Sequence, residues 1–282
     1  MQQVFNVEFE KLGLSFALNS VAFHIGNTPI KFYGIIFSLS CLLGTIYVIS
    51  RANTFNINKG NLLDTIIVSL CFGMIGARVY YVIFYPGDKF LKNPLSILYV
   101  NEGGLAVYGG IITAILMGTI VCRIKQIDIL SALDLASLGL LIGQAIGRWG
   151  NFFNQEAFGT PTDLPWAMKS EATRGVGVHP CFFYESLWCF VGFIFLHLLS
   201  LRFRKYFGRI FFFYLIWYGF GRLCIESLRT DSLVVPGLEW LRVSQLVSVF
   251  CIFYGIISIL IFKKRALEGP NIRGKRMKKK YS

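Results

Sequence analysis

The stretch Phe32-Tyr-Gly-Ile-Ile-Phe-Ser-Leu-Ser-Cys-Leu-Leu-Gly-Thr-Ile-Tyr-Val-Ile-Ser50 carries no charge between Lys31 and Arg51. About 20 mostly apolar residues cross the hydrocarbon of a bilayer as a helix, so this segment reads as a membrane span. Others like it follow. Leu105–Cys122 is uninterrupted up to Arg123, Val243–Phe262 runs clean to Lys263, and Ser186–Leu201 lies between Glu185 and Arg202. Three more stretches are long enough once a charge is admitted: Asn61–Tyr85 with Asp64 and Arg78, Ile129–Gly147 with Asp134, and Ile210–Ser227 with Arg222 and Glu226. Composition agrees, since 55% of the 282 residues are hydrophobic, 16% aromatic and only 15% charged, a balance unlike that of a soluble globule. The expected fold is an all-α polytopic membrane protein with about seven transmembrane helices. Leu12–Ile25 is too short and too polar at its flanks to span, and reads as interfacial.

Lysine and arginine in the loops set the orientation. Arg51 and Lys59, Arg123 and Lys125, and Arg202, Arg204, Lys205 and Arg209 fall on one side, together with Lys263, Lys264, Arg265 and the basic residues of the tail. That side is read as cytoplasmic, which puts the N-terminus outside. Residues 1–30 are then an extracytoplasmic, interfacial segment. Residues 31–262 are a seven-helix membrane catalytic domain with an extracytoplasmic loop at 147–184, and residues 263–282 a basic cytoplasmic tail. The net charge of +13 suits an anchor beside anionic lipid better than a nucleic-acid-binding surface. Met1–Lys11 has Glu8 and Glu10 where a cleavable signal would be basic, so the first span is expected to act as its own insertion signal. The seven cysteines include no CxxC pair and read as small buried apolar residues.

An ionised side chain in hydrocarbon costs roughly 2.5–3.5 kcal/mol even on insertion scales, so it faces a partner or a wet cavity. With the N-terminus outside, Arg78, Arg148, Arg222 and Glu226 fall toward the outer ends of their spans, where Tyr33, Tyr108 and Glu185 begin others. The polar groups thus gather in the extracytoplasmic leaflet. Asp64 and Asp134 lie at the opposite ends, in first turns, where a carboxylate suits a helix N-terminus. Tyr218, Arg222, Glu226 and Arg229 are spaced to share one helix face. The densest polar segment is Gly147-Arg-Trp-Gly-Asn-Phe-Phe-Asn-Gln-Glu-Ala-Phe-Gly159, whose glycines permit tight turns and whose Arg148, Asn151, Asn154 and Glu156 supply donors and acceptors. A guanidinium offers a planar fork of donors that never deprotonates, which suits a phosphate. No Walker loop, HExxH or G-x-S-x-G element is present, so an anion or lipid-headgroup site without metal or nucleotide is expected.

These residues resemble the signature of bacterial prolipoprotein diacylglyceryl transferases: Gly147-Arg148-x-Gly150-Asn151-Phe152-x-Asn154-x-Glu156-x-x-Gly159. Further blocks match in the family's order. They are Gly103-Gly104 with Tyr108-Gly109-Gly110, His179-Pro180 with Tyr184-Glu185, Tyr218-x-x-x-Arg222-x-x-x-Glu226-x-x-Arg229, and Ser244-Gln245-x-x-Ser248. The resemblance implies transfer of the diacylglyceryl group of phosphatidylglycerol to the lipobox cysteine of preprolipoproteins. A thioether forms and glycerol 1-phosphate leaves, at the outer face of the plasma membrane and with no cofactor or metal. It implies catalytic roles for Arg148, Arg222, Tyr108, Glu156 and Glu226. Substrate binding falls to Arg148, Asn151, Asn154, Gly159, Tyr33, Arg78, Tyr218, Arg229 and His179. The partners implied are phosphatidylglycerol, the preprolipoprotein signal peptide and membrane lipid, with no nucleic acid.

Some family members carry histidine where this chain has Tyr108. A phenol with a pKa near 10 is a poor resting base at neutral pH, whereas the attacking thiol must become a thiolate. Tyr108 is therefore read as a positioning hydrogen bonder, with leaving-group stabilisation by the arginines as the dominant effect. The 147–184 loop, with Trp166, Lys169 and Arg174, reads as a lid or peptide-docking arm. A transporter for an anionic lipid would use the same arginines, but such proteins often show related halves, and no internal repeat is evident. A receptor or assembly factor would have no need to gather charges at one depth.

Overall fold

A computed structural model of the chain describes residues 4–26, 28–99, 103–202, 207–230, 234–235 and 238–267. Most of the basic tail, from residue 268 onward, and Arg204 and Lys205 of the loop set lie outside the described residues. The described residues form seven long helices: α1 (Phe32–Arg51), α2 (Lys59–Ile83), α3 (Val107–Ile124), α4 (Ile129–Asn154), α5 (Cys181–Arg202), α6 (Arg209–Glu226) and α7 (Val243–Leu267). Six of these have the length and apolar content to cross a bilayer. The one below that level is α6, which carries Arg209, Arg222 and Glu226. Large apolar side chains face outward along the spans, as with Phe250 and Phe253 on α7 and Ile115 on α3, the surface expected where lipid rather than water is the solvent.

Several boundaries differ from the sequence expectation. Helix α4 does not stop at Gly147 but continues through Arg148 and Asn151 to Asn154, so the following connection is 155–180 rather than 147–184. Gly147 and Gly150 are helical and serve close packing instead of a turn. Glu185, expected as a flank, lies inside α5, which starts right after Pro180. Asp64 does not cap α2: Asn58 accepts from the Asn61 N–H at 3.1 Å, while Asp64 pairs with Lys125 at 2.7 Å. In α4 the capping carboxylate is that of Asp128, which accepts from the Ser131 N–H at 2.9 Å, and Asp134 is buried one turn further in. Of the cysteines, Cys122, Cys181 and Cys189 are buried, but Cys71 and Cys224 are exposed on the spans.

The chain folds as two compact units, one of residues 1–46 with 136–282 and one of residues 47–135. In the first, the N-terminal segment is a β-hairpin, β1 (Val4–Phe9) antiparallel to β2 (Leu14–Asn19), turning through Gly13 at φ 65°. Alternation along β1 buries Phe5 and Val7. These join Leu18, Phe152, Met168, Val178 and Phe182 in one apolar cluster, so the hairpin is fastened to the end of α4 and to the 155–180 connection. Backbone bonds between Glu8 and Lys169, both 2.8 Å, continue the pairing. A second ribbon, β3 (Val21–Ile25) with β4 (Thr28–Lys31), leads into α1. A third joins β5 (Val234–Val235) to β6 (Leu238–Arg242) before α7.

Glycines let the helices of this unit approach closely. A Cβ on Gly44 would lie 2.9 Å from the Gly139 carbonyl oxygen, and one on Gly255 2.8 Å from that of Phe212. Helices α5 and α6 are locked by Trp188 and Trp217, whose rings stack at 4.5 Å. Each indole N–H donates to the other residue's backbone carbonyl, at 2.9 and 3.0 Å. In the second unit, α2 and α3 pack through Gly73, Gly76, Gly109 and Gly110.

Candidate active site

The site is built from the ends of four helices in the first unit. At the C-terminus of α4 the chain is reversed by two non-glycine residues in the left-handed region, Gln155 (φ 50°) and Ala157 (φ 59°). Such positions are strained for residues with a Cβ and recur where function demands a particular backbone. Between them Glu156 folds back over the helix. Its N–H donates to the Asn151 carbonyl at 3.1 Å, and its carboxylate accepts from the amides of Asn151 at 2.8 Å and Asn154 at 3.3 Å. The spacing Asn-x-x-Asn-x-Glu therefore fixes one carboxylate with two amides. Tyr33, at the start of α1, packs its ring on Gly150, where a Cβ would approach to 2.8 Å. Its hydroxyl lies within electrostatic range of both Glu156 and Arg148. The neighbouring Phe32 stacks on Phe153 at 4.7 Å.

The arginines converge on one acid. Glu185 is only 4% exposed. One carboxylate oxygen meets Arg148 at 2.5 Å and the other meets Arg222 at 2.7 Å. Arg229 lies 3.7 Å from the same group. Arg222 turns its second terminal nitrogen to Glu226 at 2.7 Å, so the i,i+4 pair expected on α6 is present and is only half of what Arg222 does. Tyr218, one turn earlier, is within electrostatic range of Arg148, Glu185 and Arg222. Next to the cluster, the Ser186 hydroxyl donates to the Ala145 carbonyl at 2.7 Å and accepts from the Trp149 indole at 3.2 Å. That cross-link holds α4 and α5 in the register that lets Arg148 reach Glu185.

Gly159 and His179 are scaffolding for this arrangement. Gly159 donates to the His179 carbonyl at 2.8 Å, and Thr160 donates to that of Leu228 at 2.7 Å. A Cβ on Gly159 would sit 2.8 Å from the Cys181 sulfur and from the His179 Cβ, and 2.9 Å from the Leu228 oxygen. Only glycine lets this strand pass between the start of α5 and the end of α6, beside Arg229. The His179 ring has Tyr184 as its partner at 3.2 Å, and the same hydroxyl accepts from the Trp166 indole at 2.7 Å.

Two expected site residues belong to the second unit. Arg78 is buried, and all its donors are taken up by backbone carbonyls. Nε bonds Ile97 at 2.8 Å, one terminal nitrogen bonds Gly103 and Gly104 at 2.7 and 2.9 Å, and the other bonds Ser96 and Tyr99 at 2.8 and 3.3 Å. Gly103 and Gly104, both at positive φ, bring their carbonyls to it. In this arrangement Arg78 clamps the loop ahead of α3 rather than presenting its fork to a ligand. Tyr108 stands in the first turn of α3. Glu185, placed by the sequence at a span boundary among the outer-leaflet polar groups, was given no site role, yet the arginines meet on it. Pro180, a helix-start signal, could have moved that boundary upstream and put Glu185 within the membrane.

Comparison with known proteins identifies the family. The family model described as prolipoprotein diacylglyceryl transferase matches residues 20–261. A phosphatidylglycerol–prolipoprotein diacylglyceryl transferase of Finegoldia magna is 42% identical over 251 residues, covering 89% of this chain and 98% of the relative. One from Clostridioides difficile is 40% identical over 248 residues, 88% and 97% of the two chains, and one from Bacillus cytotoxicus is 40% identical over 257 residues, 88% and 93%. Matches of this length and identity leave a single assignment: the chain belongs to the prolipoprotein diacylglyceryl transferase family.

Proposed function

We propose that this protein transfers the diacylglyceryl group of phosphatidylglycerol to the lipobox cysteine thiol of a preprolipoprotein, the first step of lipoprotein maturation, at the extracytoplasmic side of the membrane. The cysteine thiolate attacks the glyceryl carbon that carries the phosphate. A carbon–sulfur bond forms and the carbon–oxygen bond breaks. The electron pair leaves on the oxygen of glycerol 1-phosphate, and the thiol proton passes to Glu156, Glu226 or water. The observation that carries the reading is the convergence of Arg148 and Arg222 on the two oxygens of one buried carboxylate. Two guanidiniums already held at the spacing of a bidentate oxyanion are suited to a phosphate, and they need little reorganisation as charge develops on the leaving group.

In this reading Asn151 and Asn154 fix Glu156 beside Tyr33, Tyr218 and Arg229 complete the polar wall, and Gly159 and His179 hold that wall together. Arg78 shapes the loop ahead of Tyr108. The N-terminal hairpin and the 155–180 connection, packed in one apolar cluster, are read as an extracytoplasmic cap, residues 31–262 as the membrane catalytic domain, and the exposed Trp166 with Lys169 supports a docking role for that cap toward the preprolipoprotein. Residues 263–282 are the cytoplasmic anchor. Membranes containing the protein, incubated with labelled phosphatidylglycerol and a lipobox peptide, are expected to yield thioether-linked peptide. Folded protein that yields none overturns the proposal.

A further inference from the structure

Glu185 presents a difficulty that its geometry resolves. A carboxylate with both oxygens on Arg148 and Arg222 competes with any phosphate for the same donors. Removing it would leave a more positive anion site. Yet it is only 4% exposed and is held from two helices at once. Among the described residues the direct ion pairs join Arg148, Arg222 and Arg229 to Glu185 and Glu226. Glu185 and Glu226 thus share three guanidiniums, and the cluster is far less positive than the arginines alone would be.

That reduced charge suits one form of phosphate better than another. The reaction proposed above consumes a phosphodiester, a monoanion. It releases a phosphomonoester whose second pKa is about 6, a dianion at neutral pH. A carboxylate kept in the site penalises the dianionic product more than the monoanionic substrate. We propose that Glu185 is a positioning residue that tunes this site to bind a phosphodiester monoanion in preference to a phosphomonoester dianion, so that the cleaved headgroup is released. The inference rests on the transferase reading. Glu185 fixes the two guanidiniums before substrate arrives, and its charge then repels the product twice as strongly as the substrate.

The test is equilibrium binding of glycerol 1-phosphate and of its methyl ester, a diester monoanion, to the full chain in lipid-free detergent at about pH 8, where the monoester is a dianion. The wild-type protein is expected to bind the methyl ester at least as tightly as glycerol 1-phosphate. Glu185→Gln shifts the ratio toward glycerol 1-phosphate by about tenfold or more, because one repulsive unit charge is removed from a dianion at ion-pair distance. Glu185→Asp, which keeps the charge, retains the wild-type ratio. Stronger wild-type binding of the dianion overturns the proposal, as does a ratio that Glu185→Gln leaves unmoved. Should Glu185→Gln fail to fold, the wild-type ratio decides alone. These are binding ratios, so they are independent of peptide lipidation, whose absence would instead count against the transferase reading.

Discussion

Replacing Arg222 with lysine keeps the positive charge and removes the fork. In the folded protein one terminal nitrogen of Arg222 meets Glu185 at 2.7 Å and the other meets Glu226 at 2.7 Å, and Glu226 is 2% exposed. A single ammonium cannot hold both carboxylates and also face a ligand, so at least one charge-assisted contact is lost. Such contacts contribute about 1.5–3 kcal/mol each. If that contact supports the arrangement that stabilises the departing phosphate, the barrier rises by the same amount. At about 1.36 kcal/mol per tenfold, kcat falls by about ten- to 150-fold. The assay is steady-state lipidation of a lipobox peptide with phosphatidylglycerol vesicles, with thermal melting of the same preparations to separate lost activity from lost fold. Tyr108→Phe, which removes only a phenol hydroxyl, is the comparison. If it loses more activity than Arg222→Lys, leaving-group stabilisation is not dominant and the reasoning fails.

Other perturbations test the scaffold. Gly159→Ala places a methyl 2.8–2.9 Å from three neighbours, and overpacking of this kind costs about 1–3 kcal/mol. A lower melting temperature together with lost transferase activity is expected, whereas a variant with unchanged melting contradicts the close approach. Gly221→Ala drives a Cβ to 2.1 Å from the Trp188 indole nitrogen, so it should loosen the α5–α6 clasp and reduce activity as well as stability. A Gly221→Ala protein that melts and turns over normally would show that the clasp does not set the spacing of Glu185 and Arg222. The exposed Glu10–Lys169 pair holds the Glu10 carboxyl below its ordinary range and the Lys169 ammonium above its own. Its contribution is therefore present above the unfolded carboxylate pKa of about 4.3 and lost as pH falls through the lowered Glu10 value. At the alkaline end it is present below about 10.4 and lost above the raised lysine value. Amide exchange in the N-terminal hairpin should rise at both extremes, and Lys169→Met should abolish the acid limb.

The sequence by itself determined the membrane class, because runs of apolar residues long enough to span a bilayer have few other uses. It also determined the family, because Arg148, Asn151, Asn154, Glu156 and Gly159 stand at fixed spacings in one short segment. The pairing of Arg222 with Glu226 was legible too, since a helix puts residues four apart on one face. Other features depended on tertiary structure. The N-terminal hairpin owes its stability to Phe152, Met168 and Val178, far along the chain, and nothing in residues 4–19 alone indicates that partner. Arg78 was expected among the substrate-binding residues, and its partners in the fold are backbone carbonyls; every residue has one of those, so no side-chain pattern marks them. Glu185 looked like the charged edge of a span because a sequence shows where charges fall but not which others they meet. Only the packing of α4, α5 and α6 brings Arg148 and Arg222 to opposite oxygens of that one carboxylate, and a buried charge is stable in membrane only where such partners are in place.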